Sequence, residues 1–385
     1  MSFAPPIEAL LAPQRRFDEL RRKTLLRAGS HFADLGYGNA YGQPPPGVLA
    51  ALRHAVENAG ELGLQYTPYG GTTVTRRIVA EHLSKASGLR YDFRGVILTP
   101  GAMAALNLVF RALREQGPGE VIVPLPCWLD YPLYLENLGL KARFVRVDPV
   151  TLRLDLEAIA EAIGPRTVAL VLMQPFNPTG VLHHESELRA LADLLRGAVV
   201  PPLLISDETH REVRFDPQPF VSPANLWPRT CVIHSFGKSL QIQGQRIGYV
   251  AVPPAMPGRT EFIGTLETLC RVMGFCTPTA LMQVALGELL EHRPDWTALR
   301  RRRLIALEAL EAGGYEVVPS QATYFLYPRT PEGDDWTYAE RLAAAGVLVM
   351  PAPVFHHRGH FRIALTCTDL MLDRAAAVLA RGVRV

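Results

Sequence analysis

A lysine, a carboxylate, an amide and a small-residue helix start each follow a short apolar segment of this sequence. They are Lys238 after residues 231–234, Asp207 after 203–205, Asn177 after 168–173, and Gly101-Ala102-Met103 after 96–98. Singly, each has an ordinary explanation, because Asn-Pro and Pro-Gly mark turns and an Asp after a strand often caps a helix. Ligands of open α/β sheets bind beyond the carboxyl ends of the strands, so four such strand ends together predict one ligand site.

Lys238 is the lysine best suited to chemistry among the four in the chain. We expect the other three at the surface: Lys23 in an arginine-rich N-terminal helix, Lys85 near a helix end, and Lys141 in a loop before a strand. Lys238 instead follows an apolar segment and is flanked by glycine and serine. An amine held away from water loses its preference for the ammonium form and can form an imine with an aldehyde cofactor.

Seven short apolar segments alternate with helical patterns and are expected to form the strands of one sheet. The segments are residues 96–98, 121–123, 144–147, 168–173, 203–205, 231–234 and 249–252. Several are apolar throughout, which is typical of strands that helices cover on both faces. The alternation of strand and helix predicts an α/β domain with a mainly parallel central sheet covered by helices.

The helical patterns and two later strands divide the chain into two expected domains. Helices are predicted at residues 48–58, 74–87, 102–116, 156–163, 185–196, 282–312 and 369–381, and strands at 323–327 and 346–350. We expect a large domain over residues 46–285. A smaller α+β domain would combine residues 1–45 with residues 286–385.

The composition gives no indication of a nucleic-acid or membrane partner. Hydrophobic residues make up 48% of the 385, charged residues 20%, and the formal net charge is +3. No segment approaches the roughly 20 apolar residues of a membrane helix, and the N-terminal segment lacks a signal-peptide core. The five cysteines, Cys127, Cys231, Cys270, Cys276 and Cys367, are scattered and odd in number, so we expect a cytoplasmic protein without disulfides.

The residues around Lys238 form a recognisable joint pattern. Ser235-Phe-Gly-Lys238 followed by Gly244-Gln-Arg246-Ile-Gly248 resembles the S-x-x-K…G-x-R-x-G signature of class I/II aminotransferases. Asn177-Pro-Thr-Gly and Ser206-Asp207-Glu208 resemble the N-P-T-G and S-D-E segments of the same family. The resemblance extends from about residue 35 to the C-terminus. It implies a pyridoxal 5'-phosphate (PLP) enzyme of fold type I, similar to aspartate aminotransferase.

The resemblance also implies a role for each cofactor-binding residue. Lys238 would carry PLP as a Schiff base, and Asp207 would keep the pyridine nitrogen protonated so that the ring accepts electrons. The remaining implied contacts are Asn177 to the phenolic oxygen, Ser235, Arg246 and the backbone of Gly101, Ala102 and Met103 to the phosphate, Trp128 stacked on the ring, and His210 facing the phenolic oxygen.

Substrate and partner residues follow from the same resemblance. Arg362 in His360-Phe-Arg362 would bind the α-carboxylate, and Gly38 would let the N-terminal segment close over that group. The amino acid and keto acid substrates are small molecules. Tyr66 resembles the tyrosine that reaches the phosphate from the neighbouring subunit, which implies a homodimer with shared active sites.

Departures from the family pattern leave the reaction open at this point. His210 stands where the family has tyrosine, a substitution associated with the C–S β-lyase branch, and its imidazole is expected to titrate near neutrality. Met103 replaces a common polar residue, and residues 351–356 replace the P-G-x-x-F-G segment. Transamination is favoured over β-elimination, and a non-catalytic ligand-binding relative has less support. Arg271 is interpreted either as a contact for an acidic side chain or as a surface or dimer residue.

A metal site is not expected in this chain. His356, His357 and His360 lie close together in the sequence, but no cysteine or carboxylate joins them and Arg358 lies among them. Zinc sites normally combine histidine with cysteine or carboxylate ligands.

Overall fold

The computed structural model describes residues 5–61, 63–215, 218–275, 277–292, 295–331 and 333–382. The helices are α1 (Pro5–Ala28), α2 (Pro46–Glu57), α3 (Thr73–Ser87), α4 (Ala102–Glu115), α5 (Tyr131–Asn137), α6 (Leu156–Ala162), α7 (Glu185–Arg196), α8 (Phe236–Ser239), α9 (Arg259–Met273), α10 (Ala280–Leu289), α11 (Thr297–Ala312), α12 (Asp335–Ala344) and α13 (Asp369–Leu379). The strands are β1 (Ala33–Asp34), β2 (Val96–Thr99), β3 (Glu120–Leu125), β4 (Lys141–Arg146), β5 (Thr167–Met173), β6 (Leu203–Asp207), β7 (Thr230–Ser235), β8 (Gly248–Ala251), β9 (Phe325–Leu326), β10 (Val347–Leu348), β11 (Met350–Pro351) and β12 (Phe361–Ala364).

A seven-stranded sheet with the order β2-β8-β7-β6-β5-β3-β4 forms the centre of the molecule. The pairs from β7 to β4 are parallel, whereas β8 is antiparallel to both of its neighbours. All seven apolar segments of the sequence lie in this sheet, with ends shifted by a few residues. The mainly parallel α/β fold with helices on both sides is therefore confirmed.

Helices cover the sheet on both faces and form separate hydrophobic clusters with it. One cluster packs α4, with Leu108 and Phe110, against the sheet on the α9 side. Another packs α2, α3 and α10 against the opposite face of β2 and β8, around Leu83 and Leu286. A further cluster joins α11, α12 and α13 to the small sheets β11-β12-β9 and β1-β10. Apolar strands buried from both sides explain why they read as continuous apolar segments.

Several local expectations need correction. The segment 282–312 forms two helices, α10 and α11, instead of one, and Pro294 lies between them in the sequence. Proline lacks the N–H that a helix interior requires, which disfavours one continuous helix. Lys141 opens β4 and does not lie in a loop, although its side chain is exposed as expected. Cys276 lies outside the described residues, and the other four cysteines are buried.

Helices α5, α9 and α12 were absent from the sequence-based expectation. Helix α5 begins at Tyr131-Pro132, and proline is favoured in the first turn of a helix. Helix α12 has a clear start signal, because the Asp334 carboxylate accepts hydrogen bonds from the N–H groups of Trp336 and Thr337. No helix in the described part of the chain is both long and apolar enough to cross a membrane.

Candidate active site

Strand register brings the polar strand ends together at one edge of the central sheet. Asp207, the last residue of β6, pairs with Met173 on β5 and with Ile233 on β7. Ser235 at the end of β7 and Thr99 at the end of β2 both lie opposite Gly248 on β8. The antiparallel strand β8 thus connects two parallel strand ends that are far apart in the sequence.

A cavity of about 420 Å³ opens at this edge of the sheet. The residues predicted from the sequence that line it are Gly38, Ala102, Met103, Trp128, Asn177, Asp207, His210, Ser235, Lys238, Arg246 and Arg362. Gly101 lies directly beneath the Arg246 guanidinium. Tyr66 is fully exposed and is not part of the cavity wall in this chain.

Lys238 lies inside the cavity, whereas Lys23, Lys85 and Lys141 are exposed. Its Nζ donates a hydrogen bond to the Gly38 carbonyl at 3.4 Å. Burial lowers the pKa of Lys238 to about 8, helped by two positively charged arginines and opposed by Asp207. An amine with this pKa loses its proton more readily than a surface lysine and is a better nucleophile near neutral pH.

Asp207 is buried and held by three hydrogen bonds. Its Oδ1 accepts from the Thr209 N–H at 3.1 Å and from the Thr209 hydroxyl at 2.5 Å, and its Oδ2 accepts from the Tyr131 hydroxyl at 2.7 Å. Burial raises the pKa of Asp207, while these hydrogen bonds oppose that rise. A carboxylate can accept about four hydrogen bonds, so Oδ2 retains capacity for one further N–H donor.

Tyr131 is a site residue that the sequence reasoning missed. It lies three residues after Trp128, and the two rings meet edge to face at 5.3 Å between centroids. Residues at i and i+3 share a face where a helix begins, so the spacing from Trp128 was the available signal. Tyr134 contacts the other side of Trp128 at 5.7 Å, which fixes the orientation of the indole.

Backbone and arginine donors meet at the start of α4. Gly101 has φ of 81° and precedes the free N–H groups of the first helical turn. A Cβ at Gly101 would lie 2.5 Å from Nη2 of Arg246, so only glycine allows this arginine to reach the helix start. Arg246 itself adopts a left-handed conformation and donates through Nη1 to the Gln243 carbonyl at 2.6 Å. Helix N-termini and a planar guanidinium together favour a phosphate group.

Arg362 is held between two aromatic rings at the other end of the cavity. Its Cζ lies 4.1 Å from the centroid of Phe325 and 4.7 Å from that of Phe355. Nη1 donates to Oδ1 of Asn177 at 3.1 Å, and Nη2 donates to the Gly36 carbonyl at 2.8 Å. Burial lowers the pKa of Arg362 to about 9. A guanidinium fixed in this way is suited to bidentate binding of a carboxylate.

Gly38 and Asn177 also shape this end of the cavity. A Cβ at Gly38 would lie 2.8 Å from Cζ of Phe325, so the N-terminal segment can pass over that ring only with glycine. Since Oδ1 of Asn177 accepts from Arg362, its Nδ2 group remains a donor for a second ligand oxygen.

His210 is buried beside Lys238 and Arg362, and its Nδ1 has no hydrogen-bond partner among the described residues. Burial and the two neighbouring cations hold the pKa of His210 well below the usual value for histidine. The expectation that it titrates near neutrality was therefore wrong. The ring is neutral there, and it packs edge to face on Tyr324 and Phe325.

The replaced segment 351–356 closes the wall behind Arg362. His356 has φ of 57° and stacks on Phe144 at 5.4 Å between centroids. His357 accepts or donates a hydrogen bond with the Tyr327 hydroxyl, and His360 stacks on the Tyr327 ring. Within the described ranges, no group of three or more histidine, cysteine or acidic side chains could hold a metal ion.

The N-terminal segment adds residues that the sequence did not indicate. Arg21, Asp34, Tyr37 and Tyr41 line the cavity together with Gly38. They lie on α1, on β1 and in the segment that follows β1. Nothing in their spacing distinguishes them from other surface residues before the chain folds.

Comparisons with known proteins agree with this geometry. A model of the family "Aminotransferase class I and II" matches residues 30–379. An aspartate/prephenate aminotransferase of Thermus thermophilus is 32% identical over 93% of this chain and 94% of its own length. The solved structure of a double mutant of aspartate aminotransferase from the same organism has a TM-score of 0.85, with 29% identity over 99% of this chain and 97% of that one. An amino transferase of Eubacterium rectale has a TM-score of 0.89 at 24% identity, covering 99% of this chain and 95% of the other, a likeness that concerns the fold alone.

The substitution Gly101→Ala tests the phosphate end of the cavity. The new Cβ would displace the Arg246 guanidinium, so we expect PLP to bind about tenfold more weakly or worse, measured by spectral titration. Gly88→Ala is the matched control, because Gly88 also has a positive φ, of 77°, but nothing lies within 4 Å of its Cβ position. Gly88→Ala should lose about 1 to 2 kcal/mol of stability, and Gly101→Ala about 1 to 3 kcal/mol, because its backbone (φ 81°, ψ 178°) lies in a region that is essentially restricted to glycine. Equal PLP affinity in the two variants would contradict the assignment.

The buried His210 predicts a pH-dependent stability. Below pH 6.5 the unfolded chain protonates this ring and the folded chain does not, because its folded-state pKa is lower. Stability should therefore fall as the pH drops from 6.5 towards that lower pKa, by up to about 1.4 kcal/mol per pH unit from this group. Urea unfolding of His210→Asn between pH 5 and 7 should show a shallower loss than wild type. Identical slopes would show that His210 binds its proton equally in the folded and the unfolded protein.

Proposed function

Because the chain belongs to the class I and II aminotransferase family and is a PLP-dependent aminotransferase, we propose that the cavity around Lys238 is its active site. The observation that carries this proposal is the position of Lys238 between Asp207 and Arg362 in one cavity. The substrates are an α-amino acid and a keto acid.

The residues of the cavity fit PLP at each of its polar groups. Arg246, Ser235 and the α4 N-terminus would hold the phosphate, and Asp207 has one remaining acceptor position for the pyridine N–H. Asn177 Nδ2 would donate to the phenolic oxygen, with the His210 ring beside it. Trp128 would lie against the ring face. When bound, PLP supplies an electrophilic aldehyde carbon and a ring that accepts electrons.

Three side chains of the cavity would have separate roles in transamination. Arg362 binds the α-carboxylate of the amino acid and so orients its α-hydrogen. Lys238 Nζ would take that proton as a general base and hold it for return within the cavity, a task for which its lowered pKa of about 8 is suited. Asp207, which Tyr131 and Thr209 hold in place, would face the pyridine N–H.

The β-lyase alternative is not favoured. The named relatives are aminotransferases, and the buried, neutral His210 still offers a ring nitrogen where the family has a tyrosine hydroxyl. The substitution at this position therefore does not require a different reaction.

We further propose a homodimer in which Tyr66 completes the neighbouring site. Tyr66, Leu64 and Tyr69 are exposed. The Arg271 guanidinium lies over the Tyr69 ring, 5.8 Å from the ring centroid. Phe275 near the end of α9 is also exposed. Exposed aromatic and aliphatic side chains rimmed by a cation are typical of a protein interface.

The division into a large domain of residues 46–285 and a small domain of residues 1–45 plus 286–385 is also a proposal. It is supported by the separate cluster around α11, α12 and α13. A cytoplasmic location is proposed from the odd number of scattered cysteines, which is typical of a reducing compartment.

Reduction and a half-reaction test the function directly. Borohydride should fix PLP to Lys238 alone, and Lys238→Ala should remove this labelling. Alanine, which has no β-leaving group, should convert the bound cofactor to pyridoxamine phosphate, and a keto acid should reverse the change. Labelling of Lys23, Lys85 or Lys141 would contradict the site, whereas pyruvate and ammonia from cysteine without a stable pyridoxamine form would indicate the lyase.

Mixing two inactive variants tests the shared site. Lys238→Ala lacks the reactive amine, and Tyr66→Ala lacks the side chain offered to the neighbouring subunit. A heterodimer contains one site with neither defect, so mixtures should recover up to about a quarter of the wild-type activity when subunits combine randomly. An active monomer at micromolar concentration in sedimentation would refute the shared site.

A further inference from the structure

Six charged side chains line the cavity within the described ranges: Arg21, Asp34, Asp207, Lys238, Arg246 and Arg362. The proposed function assigns four of them, namely Lys238 to the aldehyde, Asp207 to the pyridine nitrogen, Arg246 to the phosphate and Arg362 to the α-carboxylate. The pair Arg21–Asp34 remains without a role. A charged pair at a substrate cavity is costly to hold away from water unless it has a structural or recognition role.

Arg21 is anchored through one side of its guanidinium. Its Nε donates to Oδ2 of Asp34 at 2.8 Å, and the Tyr41 hydroxyl donates to the same oxygen at 2.9 Å. Asp34 is the only carboxylate that forms an ion pair with Arg21 in the described part of the chain. Nη1 and Nη2 therefore have no carboxylate partner, although the guanidinium lines the cavity and is about a third exposed.

A short chain of hydrogen bonds connects Arg21 to Arg362. Arg362 donates to the Gly36 carbonyl, and the Gly36 N–H donates to Oδ1 of Asp34 at 3.0 Å. Asp34 then holds Arg21 through its other oxygen. Gly36 thus connects the anchor of the α-carboxylate to Asp34, which orients Arg21, and both arginines line the same cavity.

We propose that Arg21 binds the side-chain carboxylate of a dicarboxylic amino acid and is the residue that selects for this substrate class. The proposal rests on the proposed function, because it takes Arg362 as the site of the α-carboxylate. Repulsion of such a substrate by Asp34 is reduced, since its oxygens already accept three hydrogen bonds from Gly36, Tyr41 and Arg21. Its role is to orient the guanidinium, so that Nη1 and Nη2 meet the substrate as a fork.

The test compares substrates that differ in charge but hardly in size. Wild-type enzyme should react with aspartate and glutamate at a higher kcat/KM than with asparagine and glutamine. Arg21→Gln, which can still bond to Asp34, should reduce this preference by about 10- to 100-fold, the size expected for a hydrogen-bonded charge pair. The reaction of alanine, which has no side-chain carboxylate, should change little.

Arg22→Gln is the matched control, because Arg22 is the exposed neighbour of Arg21 on the same helix and does not line the cavity. Binding of unreactive analogues gives a second measurement: succinate should bind more tightly than butyrate to wild type, and Arg21→Gln should remove the difference. If the variant does not fold, equal binding of succinate and butyrate to wild type would still contradict the inference.

Three outcomes would overturn the inference: no preference for acidic substrates in wild type, an equal loss for all substrates in Arg21→Gln, or no change at all. An equal loss would show that Arg21 serves the fold of the N-terminal segment. Failure of both alanine and aspartate to convert the cofactor to pyridoxamine phosphate would instead overturn the proposed function, so the two failures are distinguishable.

Discussion

The close approach of three backbone segments at Gly248 is the constraint on which the rest of the site depends. Gly248 pairs with both Thr99 and Ser235, so it joins the strand that leads into the helix start to the strand that leads into the reactive lysine. A Cβ at this position would lie 2.3 Å from the His234 carbonyl and 3.0 Å from Cα of Gly101. Only glycine permits this spacing, and without it the phosphate-binding backbone and the lysine segment would separate.

The electrostatics of the cavity follow from that geometry. Burial lowers the pKa of Lys238, the nearby Arg362 and Arg246 lower it further, and the buried Asp207 limits the shift. Burial raises the pKa of Asp207, and the hydrogen bonds from Thr209 and Tyr131 oppose that rise. Burial and neighbouring polar or charged groups thus shift the pKa of both residues, and such shifts are typical of catalytic sites.

The sequence predicted the central sheet well because its strands are buried on both faces and read as uninterrupted apolar segments. The strand ends then located Lys238, Asp207 and Asn177, since open α/β sheets bind ligands there. Arg21 could not be found in this way. It is one of two adjacent arginines on an amphipathic helix, and only the folded position of Asp34 distinguishes it from its exposed neighbour. Contacts between distant segments decide such roles, and these contacts cannot be predicted from composition or periodicity.

Arg362 ties substrate recognition to the arrangement of three separate parts of the chain. It donates to Asn177, which follows a strand of the central sheet, and to Gly36, which belongs to the N-terminal segment, while β12 carries the arginine itself. A carboxylate that binds this guanidinium must share it with both partners. The α-carboxylate therefore binds where the central sheet, the N-terminal segment and the C-terminal sheet already meet, so its binding energy favours the arrangement in which these parts enclose the cavity.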